Sequence, residues 1–366
     1  MEIHLPRPHK AYILLFLIAL AFEGLAQTVK FSELKKNTDG LYLYKEQVFT
    51  GKTILNHANN RKWQETDWKA GKIDGLYRCY YDNGLKELEI EYSNGKRNGQ
   101  YSAWYPNGKP ELLCNYKDGE LDKNYKSFYQ TGSPKKETNY KLGIEEGAVD
   151  LWFENGKKQQ EGYFVNGIPD GKVVSYAADG KIRKDIDYKK GLRDGASVIH
   201  HNNGQIGEIG SYKDGLPHGK FIKFDQTGKK INEESYKLGQ KDGKWIYYDF
   251  IGLKLKELNF NNNQLDGHYC EWVNGVVNEE GTYVLGKKNG LWVEKSANPY
   301  TRCDGSYNNG LRDGAWMFGV SKIYGRCNGS FKNGKKTGDW YYYNHKGKRI
   351  RSEKWTDGEL IETKNR

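Results

Sequence analysis

Hydrophobic and polar positions along this chain recur with a period of 24 residues. In the stretch from Tyr236 to Phe260, an aromatic residue precedes two spaced glycines, a run of aromatic residues and a third glycine. A charged and apolar run then leads to the next aromatic residue. A fixed period of this length is typical of repeat proteins, in which each unit packs on its neighbours. The chain after residue 43 is therefore expected to be an array of similar units.

The first glycine of the unit, here called the phase glycine, keeps its position through fourteen copies. Twelve of the thirteen intervals are 24 residues long and one is 23, and Gln47 and Asn263 replace glycine in two copies. The aromatic residue three positions earlier, the phase aromatic, is present in every copy from Tyr44 to Trp355. The phase glycines that we expect to be structural turn residues include Gly95, Gly143, Gly191, Gly215, Gly239 and Gly310.

Each unit has the pattern of a β-hairpin. Two runs of five to eight residues, aromatic or alternating, are bounded by Gly, Asn or Asp, which indicates strands. One connection often contains Asn-Gly, as at Asn83-Gly84, a pair suited to the positive φ of tight hairpin turns. The other reads Gly-x-x-Asp-Gly, as in Gly191 to Gly195, and is also expected to be a turn. The pattern predicts an all-β fold: an elongated array of about thirteen 24-residue hairpins that form one long, twisted antiparallel sheet.

The two segments before the repeats have different compositions. Residues 1–26 have a basic start, an apolar run from Ala11 to Phe22 and small residues before Gln27, which is typical of a secretory signal peptide. We expect cleavage near Ala26 and export to the periplasm, the cell surface or the medium. Residues 27–43 depart from the repeat pattern and are predicted to form an N-terminal cap. Residues 44–366 are then the repeat domain.

Two aromatic columns run through the repeats. Only 36% of the residues are hydrophobic but 14% are aromatic, which suits a thin stack of hairpins. The columns lie three positions apart, so they occupy opposite faces of a regular strand unless a bulge intervenes. One column is expected to form the core, and the other is a candidate binding surface, represented by Trp104, Trp152, Phe224 and Tyr248. The first aromatic column is Tyr77, Tyr101, Tyr125, Phe221, Trp245, Tyr269, Trp292, Trp316 and Trp340. The second aromatic column is Tyr80, Trp104, Phe128, Trp152, Tyr176, Phe224, Tyr248, Trp272 and Tyr343.

The formal net charge is +11, but acidic and basic residues alternate along the repeats. Acidic residues such as Glu89 and Glu233 stand three positions before the phase aromatic, and lysines such as Lys117 and Lys141 stand directly after it. We expect these two columns to lie side by side and to compensate each other. An anionic partner, such as acidic lipid or a cell-surface polymer, is the alternative. Nucleic acid is not expected, because the basic residues are interleaved with acids and the protein is predicted to be exported.

The sequence contains no recognisable catalytic or metal-binding motif. It has no Gly-x-Ser-x-Gly, no phosphate-binding loop, no paired catalytic carboxylates and no spaced set of His and Cys ligands. We therefore predict no enzyme activity, no catalytic residue, no metal and no cofactor. A site would have to interrupt the repeat, which happens only at residues 294–303 and 317–328.

The repeat resembles a known family. The unit Tyr92 to Lys109 reads Tyr-x-x-Gly-x-x-x-Gly-x-x-x-x-Trp-x-x-Asn-Gly-Lys, which is similar to the variant MORN repeat, and the resemblance covers about residues 44–360. It implies stacked hairpins and an association with protein or membrane-lipid binding, with no catalytic residue. Bacterial proteins of this type include those named as antitoxin or immunity components of toxin–antitoxin modules.

Together these features predict an exported, non-enzymatic repeat scaffold that binds another protein, with the cell envelope as a candidate location. The alternatives are a module that binds carbohydrate, envelope polymer or anionic lipid, and an antitoxin-type or immunity-type protein that neutralises a toxin. Glycan binding would require a column of exposed, coplanar aromatic rings. Protein binding would more readily use an irregular patch, for which residues 294–328 are a candidate.

Overall fold

The computed structural model describes residues 27–295, 302–319 and 325–366. The predicted signal peptide lies outside these ranges, as do the central parts of both segments that interrupt the repeat. The chain divides into two compact units, Met1–Ile168 and Pro169–Arg366. In the described residues, strands account for nearly all regular structure, and the only helix is a single 3-10 turn at Phe31–Glu33. The prediction of an all-β fold built from repeated hairpins is confirmed.

The first unit begins with short strands and continues with hairpins of eight-residue and nine-residue strands. Its strands are β1 Gln27–Lys30, β2 Leu34–Lys36, β3 Tyr42–Tyr44, β4 Gln47–Val48, β5 Gly51–Asn56, β6 Lys62–Lys69, β7 Lys72–Tyr80, β8 Lys86–Ser93, β9 Lys96–Trp104, β10 Pro110–Lys117, β11 Glu120–Phe128, β12 Pro134–Lys141, β13 Ile144–Trp152 and β14 Lys158–Val165. From β6 to β14 each strand pairs antiparallel with the strand before it.

The segment before β5 packs on the start of this sheet. β1 runs parallel to β5, and β2, β3 and β4 form a separate three-stranded sheet. Val29, Phe49 and Trp68 are buried together, and Phe31 and Tyr42 pack against them. The repeat phase starts at Tyr44, but β3 and β4, on either side of the first turn, do not join the main sheet, and β5 has β1 as its other neighbour.

The second unit continues the same hairpins, and in three of them a short break divides the strand that follows the two-residue turn. Its strands are β15 Ile168–Tyr176, β16 Ile182–Lys189, β17 Leu192–His200, β18 Ile206–Lys213, β19 Leu216–Pro217, β20 Gly219–Phe224, β21 Lys230–Lys237, β22 Gln240–Lys241, β23 Gly243–Tyr248, β24 Lys254–Asn261, β25 Gln264–Leu265, β26 Gly267–Val273, β27 Val276–Val284, β28 Lys287–Lys295, β29 Arg302–Asn308, β30 Leu311–Gly319, β31 Arg326–Lys332, β32 Lys335–Tyr343, β33 Arg349–Thr356 and β34 Glu359–Asn365.

The phase glycines lie in two-residue turns. In the turn between β8 and β9, Asn94 has a φ of +49° and Gly95 a φ of +81°, the pattern of a type I′ turn. The N–H of Gly95 donates to the carbonyl of Ile73, at 2.8 Å, which ties this turn to the preceding hairpin. The six phase glycines named above have φ values between +78° and +87°.

Asn-Gly connections such as Asn83-Gly84 differ from the prediction, whereas Asn274 and Gly275 have the predicted positive φ values, +53° and +75°. In the loop between β7 and β8, Gly84 has a φ of +90°, but Asn83 does not have a positive φ. The N–H of Gly84 donates to the carbonyl of Tyr81, which makes a type I turn followed by a left-handed glycine. The Asn83 side chain instead accepts the N–H of Leu85 and donates to the carbonyl of Pro106 in the next loop. The Asn83 side chain therefore connects two neighbouring loops by hydrogen bonds.

The second glycine of Gly-x-x-Asp-Gly lies in a β-bulge within a strand, so its assignment to a turn is wrong. Between β6 and β7, Thr66 pairs with Tyr77 and Trp68 pairs with Ile73, which leaves two extra residues on β7. Gly75 lies in this bulge with a φ of +111°. A Cβ atom there would meet the Cβ of Asp67 at 2.8 Å, so both the φ and the available space favour glycine.

Candidate functional site

The two aromatic columns lie on opposite faces of the sheet because the bulge precedes both of them. On β7, Tyr77 pairs with Ile90 and Cys79 pairs with Leu88, so the strand is regular until Tyr80. We call the face that carries the first aromatic column and the phase aromatics the core face. The face that carries the second aromatic column is the charged face. The sequence left two alternatives, a bulge between the columns or aromatic residues on both faces. The second alternative is correct.

On the core face, aromatic rings from neighbouring strands pack against one another. In the first unit, Tyr125 and Tyr140 pack edge to face with ring centroids 5.4 Å apart. In the second unit, Tyr307 and Trp316 pack at 5.2 Å with their planes 88° apart. Trp316 is only 1% exposed. Aromatic pairs in this geometry contribute beyond the area that they bury, so the first aromatic column serves as the core.

The four residues of the candidate binding surface lie on the charged face and are half-buried. The Lys86 ammonium lies 5.6 Å from the centroid of the Trp104 ring. The Tyr248 hydroxyl donates to the Glu233 carboxylate at 3.0 Å. The main-chain carbonyls of Trp152 and Phe224 contact side chains one repeat earlier. The charged face therefore carries all four predicted residues, Trp104, Trp152, Phe224 and Tyr248. Their role in binding stays a prediction.

The acidic residues of this face are paired, but not with the lysines that follow the phase aromatic. Glu89 contacts Arg78 at 2.7 Å and Lys86 at 2.9 Å, while Glu257 contacts Lys244 at 2.6 Å and Lys254 at 2.8 Å. These cations come from the adjacent strand or from three positions earlier on the same strand. The predicted pairing is wrong because a residue just after the phase aromatic lies four positions from the acid, roughly 13 Å along the strand.

Glu233 is a buried carboxylate of this face with three side-chain hydrogen-bond donors. Burial alone would raise its pKa, but hydrogen bonds from Lys220, Lys230 and Tyr248 outweigh burial and lower the pKa to about 2. Burial and the neighbouring Glu233 raise the pKa of Tyr248 to about 12. Both groups keep one charge state at neutral pH, so the cluster behaves as a fixed set of ion pairs.

The Asp of Asp-Gly caps the following turn. The carboxylate of Asp74 accepts the N–H of Asn94 at 2.9 Å, one repeat further along the chain. Asn98, Glu146 and His218 accept the equivalent N–H groups in their own repeats. These replacements keep a hydrogen-bond acceptor, which explains the polar column without a metal. Among the described residues, no group of three or more His, Cys, Asp or Glu could hold a metal ion.

A further column was missed from the sequence. The hydroxyls of Tyr81, Tyr105 and Tyr129 donate to main-chain carbonyls of the next loop at 2.7–2.8 Å. His57 and His201 make the equivalent contact. The signal was available in the aromatic pairs Tyr80-Tyr81, Trp104-Tyr105 and Phe128-Tyr129. These side chains join neighbouring loops beside the second aromatic column.

The core face of the first unit also holds an open cavity of about 320 Å³. Tyr105, Tyr125, Ser127, Lys136 and Leu151 are among the residues that line it. Tyr125 belongs to the first aromatic column, and Ser127 pairs with Lys136, which in turn pairs with Leu151, so these side chains share one face.

In the part of the chain that the structure describes, no helix has the length and apolar character needed to cross a membrane.

Repeated hairpins that present two extended faces define this protein as a repeat-type β scaffold. Its repeats are of a known kind: residues 97–118, 121–142, 169–190 and 217–238 match the MORN repeat variant. The resemblance inferred from the sequence is therefore confirmed in these four repeats. No curated protein matches the chain significantly.

Similar solved structures include two crystal structures. That of TcdB2-TccC3 shows 8% identity and a TM-score of 0.17, and covers 88% of this chain and 18% of that chain. That of TcdB2-TccC3-Cdc42 shows 10% identity and a TM-score of 0.17, and covers 88% of this chain and 17% of that chain. The chain spans less than a fifth of these proteins, and at such TM-scores the similarity carries no argument about function.

Proposed function

We propose that the protein is an exported, non-enzymatic repeat scaffold that binds another protein through the charged face. The observation that carries this proposal is the repeated combination of half-buried rings and paired charges on one face. Trp104 beneath Lys86 and Tyr248 beside Glu233 are examples. Interfaces commonly combine aromatic contact area with polar groups that set orientation. Export rests on the composition of residues 1–26.

A broad face supports binding to a protein more than binding to a glycan. A sugar ring stacks on a free aromatic ring face, whereas lysine ammonium groups lie 5.6–5.7 Å from the ring centroids of Tyr80, Trp104 and Trp272. The repeated ion pairs instead match a partner with alternating charges, because electrostatic complementarity sets specificity and register. Binding is then expected to require several neighbouring hairpins.

The proposal is tested with the mature chain, from Gln27 onward, as bait in an envelope extract. Two double variants, Trp104→Ala with Trp152→Ala and Phe224→Ala with Tyr248→Ala, address one unit each. We expect at least one of them to reduce capture of a specific partner about tenfold or more, as for hot-spot residues. Tyr101→Ala on the core face is the matched control, expected to lower the melting temperature without a specific loss of capture.

Two results would count against this function. If both double variants retain the partner, the charged face is not the binding surface. If they lower the melting temperature as strongly as Tyr101→Ala and lose capture only when unfolded, the second aromatic column is structural.

A further inference from the structure

A cavity of about 350 Å³ lies where the N-terminal cap meets the first hairpins of the sheet. The rings of Phe31, Tyr42, Trp68 and Tyr77 contribute to its wall. Tyr42 and Trp68 lie 4.7 Å apart between centroids, and Phe31 lies 5.7 Å from Tyr42. These rings come from the cap and from two successive strands, so the cavity exists only because the cap folds against the array.

The cavity stands at a position that six other repeats fill with a cation. Two residues after the phase glycine, Lys288 lies 4.2 Å from the Trp292 ring centroid and Arg312 lies 4.3 Å from that of Trp316. In the first unit, Arg97 lies 5.7 Å from the ring of Tyr101 in the same way. The equivalent residue beside Tyr77 is Ile73, which lines the cavity. A shorter, uncharged side chain therefore stands where those repeats place a cation.

Three of the polar side chains in the cavity wall have partners within the protein. The Tyr77 hydroxyl donates to the side-chain amide oxygen of Gln64 at 3.3 Å, and the Gln64 amide N–H donates to the Thr66 hydroxyl at 3.0 Å. The Trp68 indole N–H donates to Thr53 at 2.9 Å. A ligand inside the cavity would consequently meet aromatic and aliphatic surface, which favours an apolar body.

The charge around the cavity is positive. Lys72 is the charged residue among those that line it. The Lys36 ammonium lies 5.8 Å from the centroid of the Tyr42 ring, which is part of the wall. Two ammonium groups disfavour a cationic ligand, although aromatic rings alone would attract one. They favour an anionic group at the rim.

We propose that this cavity binds a small ligand that combines a flat apolar ring with a carboxylate. The ring lies among Phe31, Tyr42, Trp68 and Tyr77, and the carboxylate pairs with Lys72. The volume is at the lower end of the range for small-molecule sites, which suits a ligand of one ring and a short chain. This site is separate from the charged face and does not depend on the proposed function.

The test uses 3-phenylpropionate, titrated into the mature chain by calorimetry and by ligand-observed NMR. We expect saturable binding with one site per chain, and weaker binding of the amine isostere, 3-phenylpropylamine. Ile73→Arg introduces the side chain that the array itself uses at this position and should abolish binding. Lys72→Gln should weaken binding of the acid about threefold, the size of an exposed ion pair.

Two matched variants change the same repeat positions away from the cavity. Leu121→Arg corresponds to Ile73→Arg, and Lys96→Gln corresponds to Lys72→Gln; both should bind 3-phenylpropionate like the unmodified chain. Absence of saturable binding at millimolar ligand overturns the proposal, as does amine binding as tight as acid binding. Unchanged binding by a folded Ile73→Arg variant also overturns it. If that variant lowers the melting temperature, Lys72→Gln against Lys96→Gln decides the outcome.

Discussion

The core faces of the two units solve the same packing problem with different residues. In the first unit, Tyr77, Tyr101 and Tyr125 are partly exposed and pair across the sheet with Ile90, Cys114 and Thr138, respectively. In the second unit, Trp292, Trp316 and Trp340 are each 1% exposed. Glycines at 281, 305 and 329 take the positions that Ile90, Cys114 and Thr138 hold in the first unit.

The glycines explain how an open sheet can bury an indole so completely. A Cβ atom on Gly305 would lie 2.1 Å from the Trp316 ring, and one on Gly329 would lie 2.2 Å from the Trp340 ring. Each indole therefore lies flat on a strand that has no side chain at that point. A tyrosine opposite a larger residue stands higher and stays partly exposed. At Trp292, Trp316 and Trp340, a large ring is thus matched with a glycine on the neighbouring strand.

The largest difference between the units should appear when the rings are removed. Trp316→Ala is expected to cost about 3–5 kcal/mol of stability, as for other buried large side chains. Tyr101→Ala removes a partly exposed ring and should cost about 1–3 kcal/mol. Urea denaturation followed by circular dichroism measures both. Equal costs would show that the two core faces are equivalent despite their different exposure.

The role of the glycine is tested by Gly305→Ala. Because the new methyl group would overlap the indole, the variant should lose about 1–3 kcal/mol. Thr138→Ala, at the matched position in the first unit, should lose about 1 kcal/mol. Adding Trp316→Phe to Gly305→Ala should recover part of the loss in a double-mutant cycle. Strict additivity would contradict the direct contact.

The two-residue turns should behave alike in both units, in contrast to the core faces. Gly143 and Gly239 have φ values of +78° and +81°, and a Cβ atom would have room at each. Valine at either position should cost about 1–3 kcal/mol from backbone strain alone. Asparagine should be milder, since Asn263 already occupies this phase with a φ of +68°. Thermal melts that rank valine and asparagine equally would remove the turn assignment.

The smallest expected difference concerns acid stability on the charged faces. The pKa of Glu233 in the second unit is lowered from 4.5 to about 2. A lowered pKa stabilises the fold above the unfolded value, and the contribution is lost as the pH falls from about 5 toward 2. Glu233→Gln should remove about 1–2 kcal/mol at pH 7 and flatten this part of the pH profile.

Glu137 in the first unit provides the control for that measurement. Its side chain is 49% exposed and has Lys126 as its ion-pair partner, whereas that of Glu233 is 9% exposed. Exposed ion pairs contribute little, so Glu137→Gln should leave the acid profile nearly unchanged. Stability is followed by denaturant titration at several pH values. A Glu233→Gln profile that matches that of Glu137→Gln would contradict the proposed role of the buried pairs.

Prediction from sequence worked best where a unit is specified locally. The phase glycines and the strand alternation depend on residues close together in the chain, and both were found. The second glycine of each unit was assigned to a turn because Asp-Gly suits turns and bulges alike; only the partner strand shows that Gly75 interrupts a ladder. Lysines were matched to the wrong acids because pairing on a sheet depends on antiparallel register, which sequence spacing does not show.

The sequence by itself determined the period, the all-β hairpins and the chemistry of the two aromatic columns, since these follow from propensities repeated every 24 residues. Which column is buried was decided only in three dimensions, where the glycines at 281, 305 and 329 open space under the indoles. The cap cavity likewise depends on contacts between residues 31 and 42 of the N-terminal segment and residues 68 and 77 of one repeat. Such contacts join positions related by packing rather than by phase, so the repeat pattern contains no sign of them.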